Sequence, residues 1–132
     1  KAEGPGSTVG RPGDAVESIV FKNKPDIIIM VDAALKMEGE ESATIAQGFG
    51  AAIGGIGTER FQIEDIATKN NVPIFAIVIK QSVQEAITLM TKEIAGKADN
   101  VRLQIYEMIH DNTKPGQSIL LIGVGNTMGI SQ

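Results

Sequence analysis

The chain has 132 residues, a net charge of −4 and 42% hydrophobic residues, enough apolar material for one compact core. With 12 basic against 16 acidic residues and no Lys/Arg cluster, it lacks the basic footprint of a nucleic-acid binder. Zero cysteines exclude disulfides and thiolate metal sites, which leaves carboxylates and the single His110 as candidate metal ligands.

No apolar run approaches the roughly 20 residues of a membrane span, and no signal-peptide pattern is present. The expectation is a cytoplasmic segment without membrane contact of its own. The chain opens on Lys1 and ends just past a glycine-rich turn. We therefore expect one α/β domain over 1–132, an excerpt of a longer protein whose remainder could be membrane-anchored.

In chain order, residues 1–10 read as a glycine-bearing loop. Pro12 suits a first helical turn, and Ala15, Val16, Ile19 and Val20 make the inward stripe of a helix over 12–22. Pro25-Asp26 ends that segment. Ile27-Ile28-Ile29-Met30-Val31 then runs into Asp32, too continuously apolar for an amphipathic helix or a half-wet strand. It reads as a central parallel strand covered on both faces. Glu38, Glu40 and Glu41 predict the first turn of a short helix to Gln47, where acids complement the helix dipole. Gly48 to Gly57 is glycine-rich and almost without polar side chains, a loop expected over the carboxyl edge of the sheet or against a partner.

A helix opening at Thr58, with Ile63, Ile66 and Ala67 inward, should end at Asn70-Asn71. Val72 to Ile79 reads as a second buried strand. Ser82 and Glu85 form a capping box for a helix carrying Val83, Ala86, Ile87, Met90 and Ile94 on one face. A further helix spans about 98–111 with Val101, Ile105, Met108 and Ile109 inward, and Ser118 to Gly123 reads as a third buried strand, followed by Gly125-Asn126-Thr127-Met128-Gly129. This alternation is that of a three-layer α/β/α sandwich with a mostly parallel sheet. Right-handed crossovers would bring the strand ends, with Asp32, to one edge.

Asp32 can serve as general base, metal ligand or ligand anchor, or simply accept hydrogen bonds from its own turn. Gly123 to Gly129 has the look of a phosphate-cradling turn, but its spacing misses the dinucleotide fingerprint by one residue and no Walker lysine is present. A tight turn after a buried strand explains it better. The three glutamates could join Asp32 around a hard divalent cation, or form a solvated helix start. His110 reads as a surface residue, and no G-x-S-x-G supports a serine triad.

Thr8-Val9-Gly10, the helix, Lys24-Pro25-Asp26 and Ile29-Met30-Val31-Asp32-Ala33 together resemble the middle of the spore germination proteases. The likeness continues through Gly54-Gly55-Ile56-Gly57-Thr58-Glu59-Arg60 and Asn71-Val72-Pro73-Ile74-Phe75-Ala76-Ile77. Ile119 to Asn126 is similar to the opening strand and Gly-x-Gly-Asn loop of the hydrogenase-maturation endopeptidases. Here that strand comes last, which implies a circular permutation or a loop of separate origin. The whole stretch also looks like the carboxyl-terminal domain of an uncharacterised archaeal family of longer proteins.

The resemblance implies a phosphorylase/hydrolase-like fold and a catalytic or metal-binding role for Asp32. The second acid of those peptidases is missing from Thr127 to Gln132, and so is a histidine between Gly48 and Arg60. Glu3 stands as a substitute acid. Thr8, Gly10, Gly55, Gly57, Gly125 and Asn126 are the expected ligand-binding positions, with backbone N–H groups of Gly55, Gly57 and Gly125 lining a scissile carbonyl. Two functions follow as expectations. One is a peptidase-like hydrolase, with a divalent metal as the cofactor to test. The other is a non-catalytic module that binds a small ligand or nucleotide or assembles with a partner. The apolar 48–57 segment points to a homo-oligomer.

Overall fold

The computed structural model describes residues 11–51 and 58–124. The elements in chain order are α1 (Pro12–Lys22), β1 (Ile27–Leu35), β2 (Ile45–Phe49), α2 (Thr58–Lys69), β3 (Ile74–Gln81), α3 (Val83–Ala86), α4 (Lys92–Ala95), α5 (Ala98–Asn112) and β4 (Ile119–Gly123). The four strands form one open sheet in the order β2-β3-β1-β4. β1 pairs in parallel with β3 and with β4, and β2 pairs antiparallel with β3. This is a mixed α/β fold with a mostly parallel sheet.

The apolar run of β1 is central because both of its faces have partners. Ile28 and Met30 pack with Val16 and Val20 of α1 and Ile63, Ile66 and Ala67 of α2. Ile27 and Ile29 pack instead with Phe75 and Ile77 of β3 and Val101 and Met108 of α5. Successive strand side chains point to opposite faces, so the two clusters lie on opposite sides of the sheet. Ile28, Ile29, Met30 and Ile77 are fully buried. Each contributes about 1.5–3 kcal/mol relative to an exposed position.

Local chemistry sets the element boundaries. Asn71 (φ 52°) takes the left-handed conformation that ends α2, and the Asn70 side-chain amide donates to the Ile66 carbonyl at 2.8 Å. At the amino edge of the sheet, the Asp26 carboxylate accepts from the Ser118 N–H at 2.7 Å and from its hydroxyl at 3.1 Å. It also accepts from the Gln117 amide at 3.2 Å, and the Asp26 N–H donates to the Ser118 carbonyl at 2.9 Å. One aspartate thus ties the starts of β1 and β4 together, and these bonds, the Ser118 N–H first, hold its pKa below the ordinary carboxylate value.

Three expectations are corrected. Residues 38–47 form no helix: Glu38–Ser42 is turn and irregular chain, and Ile45–Phe49 is the edge strand β2. The reversal is made at Ala43, fully buried with φ 62°. The Ala43 N–H donates to the Lys80 carbonyl at 2.7 Å, while the Lys80 N–H donates to the Thr44 carbonyl at 2.8 Å. Two residues therefore oppose one, a β-bulge whose first residue is left-handed, a place usually held by glycine.

Gly48 and Phe49, expected over the carboxyl edge, belong to β2 and pair with Ala76 and Phe75 near the amino end of β3. Residues 52–57 lie outside the described residues. The long helix expected after Ser82 is two short ones. The Ser82–Glu85 capping box is present, but Ile87, Leu89 and Met90 are exposed, so the stripe lacks the packed face needed to propagate a helix.

Candidate functional site

β1 runs across the carboxyl end of β3 into β2, and β3 leads on to α3, α4 and α5. The connection from β1 to β3 carries α2, packed on the Ile28/Met30 face, and the connection from β3 to β4 carries α5, packed on the Ile27/Ile29 face. Open α/β sheets bind ligands at the carboxyl ends of strands where the crossovers change sides. Here the strand order reverses between β1 and β4, the chain having passed from β1 to β3 on one side and then to β4 on the other. The two buried polar residues among the described residues, Asp32 and Gln81, lie toward the carboxyl ends of β1 and β3, 7% and 6% exposed.

Asp32 is within β1 rather than beyond it, since the strand continues to Leu35 and Asp32 pairs with Val78 of β3. On the other side the ladder to β4 stops at Val31 and Gly123, and the Val124 N–H donates to the Val31 carbonyl at 2.8 Å. The carboxylate thus sits where β1 has lost one neighbour, on the face it shares with Met30 and α1. An Asp32 carboxylate oxygen accepts from the Ala33 N–H at 2.7 Å. Val20 and Val16 pack with Ile28 and Met30, four helical residues (about 6 Å) against two strand residues (about 6.6 Å). Continuing that match brings the first turn of α1, with buried Gly13, level with Asp32.

The acids around the end of β3 are committed to structure. Glu40 accepts from the Lys80 ammonium and from the Met37 N–H at 2.7 Å, and the Lys36 ammonium donates to the Glu40 carbonyl at 2.8 Å. The Lys80 bond, then the Met37 bond, lowers the Glu40 pKa. Glu85 accepts from the Ser82 N–H at 2.7 Å and the Ser42 hydroxyl at 2.8 Å, and the Ser82 N–H is the largest cause of its lowered pKa. Lys36, in turn, donates its N–H to the Gln81 carbonyl at 2.9 Å, carrying the sheet's bonding one step past β3. Among the described residues no group of three or more His, Cys, Asp or Glu side chains could hold a metal ion. Glu38, Glu40 and Glu41 do not assemble around Asp32, and His110 is an exposed residue beside Asp111.

Of the expected site positions, Asp32 is described. Glu3, Thr8, Gly10, Gly55, Gly57, Gly125 and Asn126 lie outside the described residues. The chain adjoining two of those segments is placed: Arg11 flanks α1, and Val124 is bonded beside Asp32. Three hollows are lined by described residues. One of about 420 Å³ lies between β2 and α5, lined by Gln47, Phe49, Phe75, Glu107 and Asp111. A second of about 260 Å³ lies against Gly48, Ala51, Arg60 and Val78, and a third of about 120 Å³ between α1 and α2. None of these three includes Asp32.

Sequence reading passed over Gln81, whose signal was a polar residue closing an apolar strand, and the β2 edge.

The molecule is therefore an open α/β domain with a buried strand aspartate at the reversal of its crossovers. Residues 1–131 match the family described as "Domain of unknown function (DUF1512) C-terminal", and the chain belongs to that family. No curated protein and no solved structure matches the chain. No helix among the described residues is long and apolar enough to cross a membrane.

Proposed function

We propose that this domain binds a small polar ligand at the carboxyl edge of its sheet, between the ends of β1 and β4, with Asp32 as the anchor. The observation that carries the reading is a carboxylate 7% exposed at the point where the crossovers change sides. A carboxylate accepts hydrogen bonds and donates none, so the ligand presents donors there, as the ribose hydroxyls of a nucleotide would. The segments holding Thr8, Gly10, Gly125 and Asn126 supply the remaining contacts in this reading, and the fold is the three-layer sandwich its two packed faces suggest.

A second reading, a peptidase-like hydrolase of the phosphorylase/hydrolase-like class, draws on the buried Asp32 and on the likeness to the germination proteases. It requires a second acid or a divalent metal near Asp32, with Glu3 the candidate acid.

Thermal shift against nucleotides and against Mg²⁺ and Mn²⁺, in the protein and in Asp32→Asn, tests both. At a hundredfold excess over Kd, a ligand stabilises by about 2.7 kcal/mol, several degrees in Tm. Nucleotide stabilisation diminished in Asp32→Asn supports the binding reading. Metal stabilisation that disappears in Asp32→Asn supports the hydrolase reading. No shift with either class, or shifts identical in the variant, rejects Asp32 as the anchor.

A further inference from the structure

Among the described residues, β2 is an edge strand that pairs with β3 alone. The Lys80 N–H donates to the Thr44 carbonyl and the Gly50 N–H to the Ile74 carbonyl. Those bonds mark even-numbered residues as the ones bonded to β3. The alternation of an antiparallel ladder then turns the N–H and C=O groups of Ile45, Gln47 and Phe49 outward.

Exposed edges are ordinarily blunted by Lys, Pro or a charge pointing inward. From Thr44 to Gly50 the chain has no charged residue and no proline. Phe49 is 86% exposed, its one described aromatic neighbour being Phe75 at 5.0 Å between ring centroids. Nothing lies within 4 Å of the position a side chain on Gly48 would take.

We propose that β2 pairs antiparallel with β2 of a second copy of this chain, about a two-fold axis through Gln47, joining two four-stranded sheets into one. The second copy is the occupant because the edge is self-complementary in this register. Ile45 falls opposite the partner's Phe49 and Gln47 opposite the partner's Gln47, so every outward N–H and C=O of the three residues meets an acceptor or donor. Ile45, Gln47 and Phe49 share one face of the sheet, since Ile45 and Phe75 belong to the same packed side. The pairing therefore sets an exposed aromatic ring beside a β-branched side chain twice over, a favourable cross-strand combination. The strand itself being uncharged, the two-fold sets no like charges opposite each other within the ladder. The proposal does not depend on what the carboxyl edge binds.

Light scattering at micromolar concentration gives the oligomeric state, and cysteine cross-linking gives the register. The protein should be a dimer. Phe49→Lys, and separately Gln47→Pro, should yield monomers with unchanged circular dichroism, because the first replaces an exposed side chain and the second removes an N–H the β3 ladder does not use. Phe21→Lys, on an exposed face of α1, should stay dimeric. With no cysteine in the chain, Gln47→Cys should oxidise to a covalent dimer, directly opposed Cα atoms about 5.5 Å apart being within disulfide range. Phe61→Cys, exposed on α2, should not. A monomeric protein, a dimer that both β2 variants leave intact, or equal cross-linking at the two cysteines overturns the proposal.

Discussion

Two aspartates bracket the apolar run of β1, and they differ in the opposite sense from what exposure alone would suggest. Asp26, at the amino edge, is exposed, and three hydrogen bonds from Gln117 and Ser118 fix its carboxylate. Asp32, toward the carboxyl edge, is buried, and the bond described for its side chain comes from the adjacent Ala33 N–H. The amino edge is a place where chain segments are clamped together; a carboxylate there substitutes for missing strand pairing. At the carboxyl edge the acid is buried where β1 has run past the end of β4, and that placement is why the functional reading rests on Asp32.

The largest effect should come from removing what the two acids share. Met30 is fully buried between α1 and α2 on the same face as Asp32. Met30→Ala should lose about 2–5 kcal/mol of stability by chemical denaturation, the range for a large core side chain cut to a methyl. A loss below about 1 kcal/mol would mean that β1 is not the central strand of the core.

Next comes the bulge at Ala43. A fully buried residue with φ 62° has no room for branching at Cβ, so Ala43→Val should cost about 2–4 kcal/mol. Ala43→Gly should stay within about 1 kcal/mol of the parent protein, relief of the left-handed strain being offset by the greater freedom of the unfolded chain. If valine were tolerated, the reversal into β2 would not be built as described.

These variants also mark what could be read from residues alone. β1 and β3 were legible because each is an unbroken apolar run of the kind that is covered on both faces. β4 was legible as a strand, but it is an edge of the described sheet with Leu121 53% exposed, so its apolar run overstated its burial. Helix α5 was legible from its spacing, with Val101 and Met108 inward as expected. β2 was not. Its entry depends on an alanine in a conformation that alanine does not advertise, and three glutamates just before it imitate a helix start. The residues after Ser82 failed for the converse reason: their periodicity is genuine, but tertiary packing supplies no surface for Ile87, Leu89 and Met90. At the site, Asp32 was legible as an acid closing an apolar strand, whereas the commitment of Glu40 to Lys80 joins residues distant in sequence.

A smaller effect, and a sharper one, is the pH response of the staple. The folded-state pKa of Asp26 is lowered, so its stabilisation is fully present above the unfolded value near 4 and is lost as pH falls through the lower folded value. Asp26→Asn should melt below the parent protein at pH 7. The gap should narrow as pH falls below about 4 and close once the native carboxyl is protonated. Thermal melts across pH 2–7 measure this. A gap independent of pH would assign the loss to shape rather than charge.

The smallest effect on stability should be at Asp32 itself. Asparagine keeps an oxygen for the Ala33 N–H and removes a buried charge, so the two consequences oppose each other. Asp32→Asn should shift stability at pH 7 by no more than about 1 kcal/mol, in either direction, and should lower Tm less than Asp26→Asn does. The same variant should lose the thermal shift induced by a bound ligand. That combination, near-silence in the free protein and a large change in the ligated one, is the signature of a side chain retained for binding. The reverse combination, a large drop in stability with the ligand response preserved, would make Asp32 a second staple and move the site elsewhere on the carboxyl edge.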